Sequence, residues 1–302
     1  MDEVKLHRKA DKRMTDAWEN SKANMGGTKM KEVLVKRVML CLLIALMVML
    51  CASSIAEELV LVNDENMVIT VKEFDEDGFW GPTMKVYLEN KTDKQLMYSI
   101  DSCAVNGVMN DPFWAKELPA GSKANAEISW TDLSGNAASA GITKVELCFK
   151  VYDSNDWMAD NLLCQDFTIY PKGKSNAVID QFIPDQDDIV LFDNEEVSMI
   201  VTGFENDELW GYSARVYLNN KTDAQLMFSV KSAVVNGYVC DPFWAREVRG
   251  HAADYASISW LPDEFEENGI TEVEEITLAI SVYDSNNWMD DALLEKQFII
   301  RP

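Results

Sequence analysis

The 302-residue chain carries 27 Lys and Arg against 51 Asp and Glu, a net charge of −24. The first 56 residues hold 10 basic and 6 acidic side chains, which leaves 17 basic and 45 acidic ones for the remainder; a surface this acidic repels nucleic acid and anionic lipid headgroups. Of the two histidines, His7 lies near the start and His251 is alone in the remainder, which excludes Ser-His-Asp, Cys-His and histidine-zinc chemistry.

Residues 1–29 are polar, charged and without periodicity. They read as a disordered leader that initiation at Met30 would leave untranslated. Residues 30–56 follow a different rule. Lys31, Lys36 and Arg37 precede an apolar run from Val38 to Ala52, and Ser53-Ser54-Ile55-Ala56 places small residues where a signal peptidase cuts. The run is short of the ~20 residues of a comfortable membrane span. A cleaved signal peptide is the first reading and an uncleaved anchor the second. Both put residues 57–302 outside the plasma membrane, with contact to the membrane only through the N-terminal segment.

From there the chain states one pattern twice. Trp80-Gly81, Val86-Tyr87-Leu88, Asn90-Lys91-Thr92-Asp93, Val105-Asn106-Gly107 and Asp111-Pro112-Phe113-Trp114-Ala115 return 130 residues later as Trp210-Gly211, Val216-Tyr217-Leu218, Asn220-Lys221-Thr222-Asp223, Val235-Asn236-Gly237 and Asp241-Pro242-Phe243-Trp244-Ala245. That period is the size of a domain with its own core rather than of a solenoid repeat. It divides the chain into a first repeat at 57–171, a linker at 172–187 and a second repeat at 188–302. Within each repeat apolar residues alternate, as at Met84, Val86 and Leu88 or Ile276, Leu278, Ile280 and Val282, which predicts half-buried strands. Asn106-Gly107 predicts a two-residue hairpin. Asn90-Lys91-Thr92-Asp93, lying between two alternating runs, reads as another hairpin connection, and its sequon points to an exposed asparagine. A short helix is expected around Asp263–Glu267, stopped at Gly269. Seven or eight short strands in ~115 residues fit an all-β chain of two tandem immunoglobulin-like antiparallel β-sandwich domains behind a signal or anchor helix.

The Val-Asn-Gly and Asp-Pro-Phe-Trp-Ala segments, with the later Val-Tyr-Asp-Ser-Asn, resemble uncharacterised immunoglobulin-like repeats of secreted and surface proteins from Gram-positive bacteria. The resemblance implies an exported sandwich domain and supplies no catalytic residue.

Candidate chemistry is sparse. Cys103, Cys148, Cys164 and Cys240 have Ala233, Ala279, Glu295 and Asn110 at the matching places, so they are not a disulfide framework on which the fold depends; mostly free thiols are expected, with room for one bridge in the first repeat. The eight tryptophans after residue 56 are all duplicated. The first reading of each is a core or sandwich-end side chain, since an indole buries a large apolar area. Trp80, Phe113, Trp114 and Trp157, with Trp210, Phe243, Trp244 and Trp288, are the candidate ligand-binding aromatics, set beside acidic or Asn-containing loops. The oxygen-rich runs from Asp153 to Asp160 and from Asp284 to Asp291 suit turns better than calcium. Asp111 with Glu117, and Asp241 with Glu247, are duplicated carboxylates, but acid–base work needs such a pair held across a cleft, which a compact sandwich does not offer. No catalytic residue, metal ligand or cofactor is assigned. The expected function is non-enzymatic binding of an unknown protein or glycan at the cell surface, the alternatives being a carbohydrate-binding module and a calcium-stabilised spacer.

Overall fold

The computed structural model of the chain describes residues 58–302 apart from 136, 157, 208–210 and 288. The segments read as leader and as signal or anchor lie outside the described residues. Among the described residues no helix is long and apolar enough to cross a membrane.

Alternation becomes sheet as the side-chain period of two demands. In β3 (Thr83–Asn90) Met84, Val86 and Leu88 are buried while Lys85, Tyr87 and Glu89 face outward. β3 lies in an antiparallel sheet of order β1 (Leu59–Asn63), β2 (Met67–Asp75), β3, β7 (Lys123–Ser129). Opposite it, β4 (Leu96–Val105) pairs with β8 (Val145–Asp153), which pairs with β9 (Leu163–Ile169); the short β5 (Val108–Met109) and β6 (Ala115–Leu118) follow the other side of β4. Val86 and Ile128 from the first layer meet Tyr98, Leu147 and Phe149 from the second in one apolar core. Burying each such side chain contributes about 1.5–3 kcal/mol.

The second copy repeats the plan. One layer is β10 (Ile189–Asp193), β11 (Val197–Asp207), β12 (Gly211–Asn220) and β16 (Ala253–Trp260). The other holds β13 (Leu226–Val235) with β14 (Tyr238–Val239), β15 (Ala245–Val248), β17 (Ile276–Asp284) and β18 (Leu294–Ile300). Two short helices, α1 (Ala137–Ala140) and α2 (Pro262–Glu267), occupy equivalent connections, α2 where the acidic run predicted it.

The Asn-Gly hairpins form as expected. Asn106 and Gly107 have φ of 53° and 84°, Asn236 and Gly237 50° and 88°, the left-handed pair that a two-residue turn between twisted strands requires. The Asn106 amide adds a strap: Oδ1 accepts from the N–H and hydroxyl of Thr143 and from the N–H of Lys144, and Nδ2 donates to the Gly141 carbonyl.

The Asn90–Asp93 segment is not a hairpin. It carries the chain from β3 in one layer to β4 in the other, since β3 pairs with β2 and β7 whereas β4 pairs with β5, β6 and β8. Nor is Asn90 exposed: its residue is fully buried, and Nδ2 donates to the carbonyls of Lys94, Leu118 and Pro119 at 2.7, 3.1 and 3.0 Å. Oδ1 accepts from the Thr92 N–H and hydroxyl. Asn220 makes the same set with Ala224, Val248, Arg249 and Thr222. A sequon pattern thus encodes an internal strut between layers rather than a surface acceptor.

The two copies are joined through a sheet. β16 of the second copy pairs in parallel with β5 of the first at Ala253 and Val108, and the Ala253 N–H donates to the Gly107 carbonyl at 2.8 Å. Ala104 and Met109 of the first copy belong to the apolar cluster of the second. Phe182, from the linker, stacks on Tyr217 with centroids 4.1 Å apart, and the Tyr255 hydroxyl donates to Asp180 at 2.8 Å. Arg249, its side chain largely buried, donates to the Ser102 hydroxyl and to Asp166, each at 2.6 Å. Removing it strands the buried Ser102 hydroxyl, so Arg249→Ala is expected to cost about 1–2 kcal/mol at the joint. Native-state hydrogen exchange checks this: the amides of 253–255 should exchange faster in the variant than those of the distant β2, and equal protection at both places would refute it.

Candidate interaction surface

Each Asp-Pro-Phe-Trp run forms an arch. In the first copy it leaves β5, spans the register break of β4 between Ile100 and Ser102, and rejoins β4 as β6. The arch is pinned at both feet. Asp111 Oδ1 accepts from the Cys103 N–H at 2.7 Å, and the Trp114 carbonyl accepts from the Ile100 N–H at 3.3 Å. In the second copy Asp241 Oδ1 caps the Phe243 N–H at 3.0 Å, and the Trp244 carbonyl accepts from the Val230 N–H at 3.0 Å.

The crown of each arch is a phenylalanine held against its preferences. Phe113 and Phe243 have φ of 44° and 46° and are 103% and 98% exposed. A bulky L residue in the left-handed region is strained, and a phenyl ring in water forgoes its burial energy. Neither cost serves packing, and both copies bear both. Trp114 and Trp244 turn the other way. Each is half-buried against its core, Trp114 edge-on to Phe149 at 6.3 Å.

Among the described candidates, then, the arch phenylalanines are free and the arch tryptophans largely committed. Trp80 is also exposed and stands edge-on to the exposed Phe79 at 4.9 Å. Trp157, Trp210 and Trp288 lie outside the described residues.

Two further exposed residues went unnoticed in the sequence. In the first copy Val108 and Met109 are covered by the joint, but their counterparts Tyr238 and Val239 are 49% and 74% exposed. The stretch 238–243 therefore exposes Tyr238, Val239 and Phe243 within six residues. Its local pattern matches that of 108–113, so only the position of the neighbouring copy separates a covered hairpin from a bare one.

Charge shapes the joint beside the first arch. Arg246 donates to Asp254 through Nε and Nη2, each at 2.8 Å, and that contact holds the guanidinium above its ordinary value. Burial pushes the Asp254 carboxyl up, against the lowering pull of Arg246. Desolvation likewise raises Asp111, opposed by the Cys103 N–H and by Arg246 across the joint. Glu117 is bound separately by Gln95 and Ser154, which lower it.

The first aspartate of each acidic run is already engaged. Asp153 accepts from the Asn155 N–H at 3.0 Å and pairs with Lys94 at 3.1 Å, while Asp284 accepts from the Asn286 N–H at 2.8 Å and from Asn287 Nδ2 at 3.1 Å. These are Asx turns at strand ends. Among the described residues no group of three or more His, Cys, Asp or Glu is placed to hold a metal ion. Burial pushes the Cys103 thiol up to about 12 and raises that of Cys240.

No family model matches the sequence, and no curated protein matches it. Solved structures to which the chain is similar include the YadV chaperone, at 13% identity over 78% of this chain and 100% of that one, with a TM-score of 0.21. The Salmonella enterica SafA pilin in complex with the SafB chaperone is 11% identical over 79% of this chain and 98% of that one, with a TM-score of 0.24. The CsuC–CsuE chaperone–tip adhesion subunit complex of Acinetobacter baumannii is 11% identical over 72% and 90%, with a TM-score of 0.21. At such TM-scores none of the three bears on what this chain does.

Proposed function

We propose that the chain is an exported, non-catalytic interaction protein in which two tandem immunoglobulin-like sandwiches present an aromatic surface to a partner protein outside the plasma membrane. The observation that carries this reading is the bare second hairpin with its arch. The first copy uses that hairpin to hold a whole domain against itself. The second copy leaves Tyr238 and Val239 uncovered beside a strained, fully exposed Phe243. Exposed aromatics with low side-chain entropy are the usual anchors of protein interfaces. Export is supported by the signal-like segment 30–56 and by the resemblance of the motifs quoted above to Gram-positive surface repeats.

A glycan is the second reading, favoured by the exposed Phe79–Trp80 pair of the first copy. Binding of the purified protein to envelope fractions of the cells that produce it separates the two. Tyr238→Asp combined with Phe243→Ser should leave the melting temperature unchanged and weaken binding roughly tenfold or more. Prior protease treatment of the envelopes should abolish binding if the partner is a protein and spare it if the ligand is a glycan. Undiminished binding by the double variant would sink the proposal.

A further inference from the structure

Cys148 and Cys164 belong to neighbouring strands. In the β8–β9 register Cys148 stands opposite Asp166, and Lys150 stands opposite Cys164. The two cysteines are therefore diagonal neighbours on one face, the face turned away from the core that Leu147, Phe149 and Val151 enter from β8. Their sulfurs lie 3.8 Å apart, at van der Waals contact, and both thiols are free. Cys164 is exposed, so an oxidant in solution can reach it, whereas Cys148 is nearly buried beneath it.

We infer that Cys148 and Cys164 are a built-in disulfide clasp that closes on oxidation. The oxidant is a disulfide. The exposed Cys164 thiolate attacks one of its sulfurs, forming a mixed disulfide and releasing one thiolate. Cys148 then gives up its proton and attacks Cys164 Sγ, expelling the second thiolate. Two protein thiols and one small disulfide become one protein disulfide and two small thiols. Burial, and next the neighbouring Cys164, push the Cys148 thiol up to about 12, so the first attack falls to the exposed Cys164 rather than to Cys148.

The location gives the clasp a purpose. β9 is the terminal strand of its sheet, held by β8 alone, and it runs directly into the linker. It also carries Asp166, opposite Cys148, which binds Arg249 of the second copy. A bond from β8 to β9 at this place fastens the edge strand on which that inter-copy tie depends. The second copy has Ala279 and Glu295 at these positions. The clasp thus belongs to the copy that bears the joint, and it is not a requirement of the fold.

The test uses the full chain equilibrated with oxidised and reduced glutathione, followed by alkylation and peptide mapping without reductant. A peptide pair linked through Cys148 and Cys164 should appear, with the loss of two titratable thiols and a melting temperature higher by roughly 5–10 °C. Cys148→Ser and Cys164→Ser should each abolish the link and the shift. Cys103→Ser and Cys240→Ser should leave both intact. The inference is overturned if Cys148 and Cys164 stay alkylatable, if glutathione accumulates on Cys164 without being displaced, if the link forms only in denaturant, or if it forms without raising the melting temperature.

Discussion

Replacing Asn90 by Ala is expected to cost roughly 3–5 kcal/mol of folding stability, although the side chain is small and touches no ligand. The Nδ2 group serves three backbone carbonyls and Oδ1 serves two donors of Thr92, all at the point where the chain passes between layers. Water cannot take over these roles, because the residue is fully buried. Asn220→Ala should behave alike in the second copy. Asn90→Asp makes a sharper test. At neutral pH it would set a carboxylate against the three carbonyls, a worse state than the cavity left by Ala. Burial and the carbonyls would raise the folded-state pKa of that carboxyl above its unfolded value. Stability should therefore recover as the pH falls toward the raised value, where the protonated acid can donate one hydrogen bond, and be lost as the pH rises through it. Urea midpoints at neutral and mildly acidic pH read both effects. An Ala variant within 1 kcal/mol of the parent, or an Asp variant that weakens on acidification more than the parent does, would contradict the strut.

The same segment marks where the sequence could be read and where it could not. Asn106-Gly107 was legible because its information is local: two residues at positive φ leave few alternatives to a tight hairpin. Asn90-Lys91-Thr92-Asp93 is just as polar and just as well flanked by alternating runs. Its meaning, however, depends on Leu118 and Pro119, whose carbonyls lie 28 and 29 residues away in sequence. The joint was hidden for a related reason. Sequence similarity drew attention to what the copies share, and the joint is made of what they do not. At the edge strand the first copy has Lys123, Asn125 and Glu127 where the second has Ala253, Tyr255 and Ser257, and Arg249 replaces Pro119. Charged residues keep an unpaired edge from finding partners, while small and aromatic ones allow it to pair. A position-by-position comparison of β7 with β16 carries that signal. Within the candidate surface, the exposed phenylalanines followed from the Asp-Pro start of each arch. Core packing is the first reading of any of these indoles, but which pairs turn inward was not legible, since periodicity inside a four-residue arch is too short to assign an inward face to Trp114 and Trp244.

Trp260→Ala should be the most damaging truncation in the second copy, at about 4 kcal/mol or more. Its indole is fully buried in the apolar cluster, and Nε1 donates to the Cys240 carbonyl at 2.9 Å. That carbonyl is the last backbone group before the Asp241 foot of the arch, so one side chain ties β16 to the base of the exposed Phe243. Trp130 does the same for the first copy through the Asn110 carbonyl at 3.0 Å. The pairing also explains why each copy repeats Trp-Gly at 80–81 and 210–211. A Cβ at Gly81 or Gly211 would lie 2.2 Å from the carbonyl oxygen of Trp130 or Trp260, at φ of 99° and 77°. The glycine lets its own backbone approach that of the buried tryptophan at a distance no side chain would allow. Trp260→Phe separates the two roles of the indole. It keeps much of the apolar volume but leaves the Cys240 carbonyl unpaired, for a cost of about 2 kcal/mol. Its effect on the arch should exceed its effect on the core. Hydrogen exchange should rise at Phe243 and Trp244 before it rises in β17, and affinity for the partner should fall with it. If the Phe variant loosens β17 and the arch equally, the indole acts only as filling, and the arch owes its shape to Asp241 and the strained phenylalanine alone.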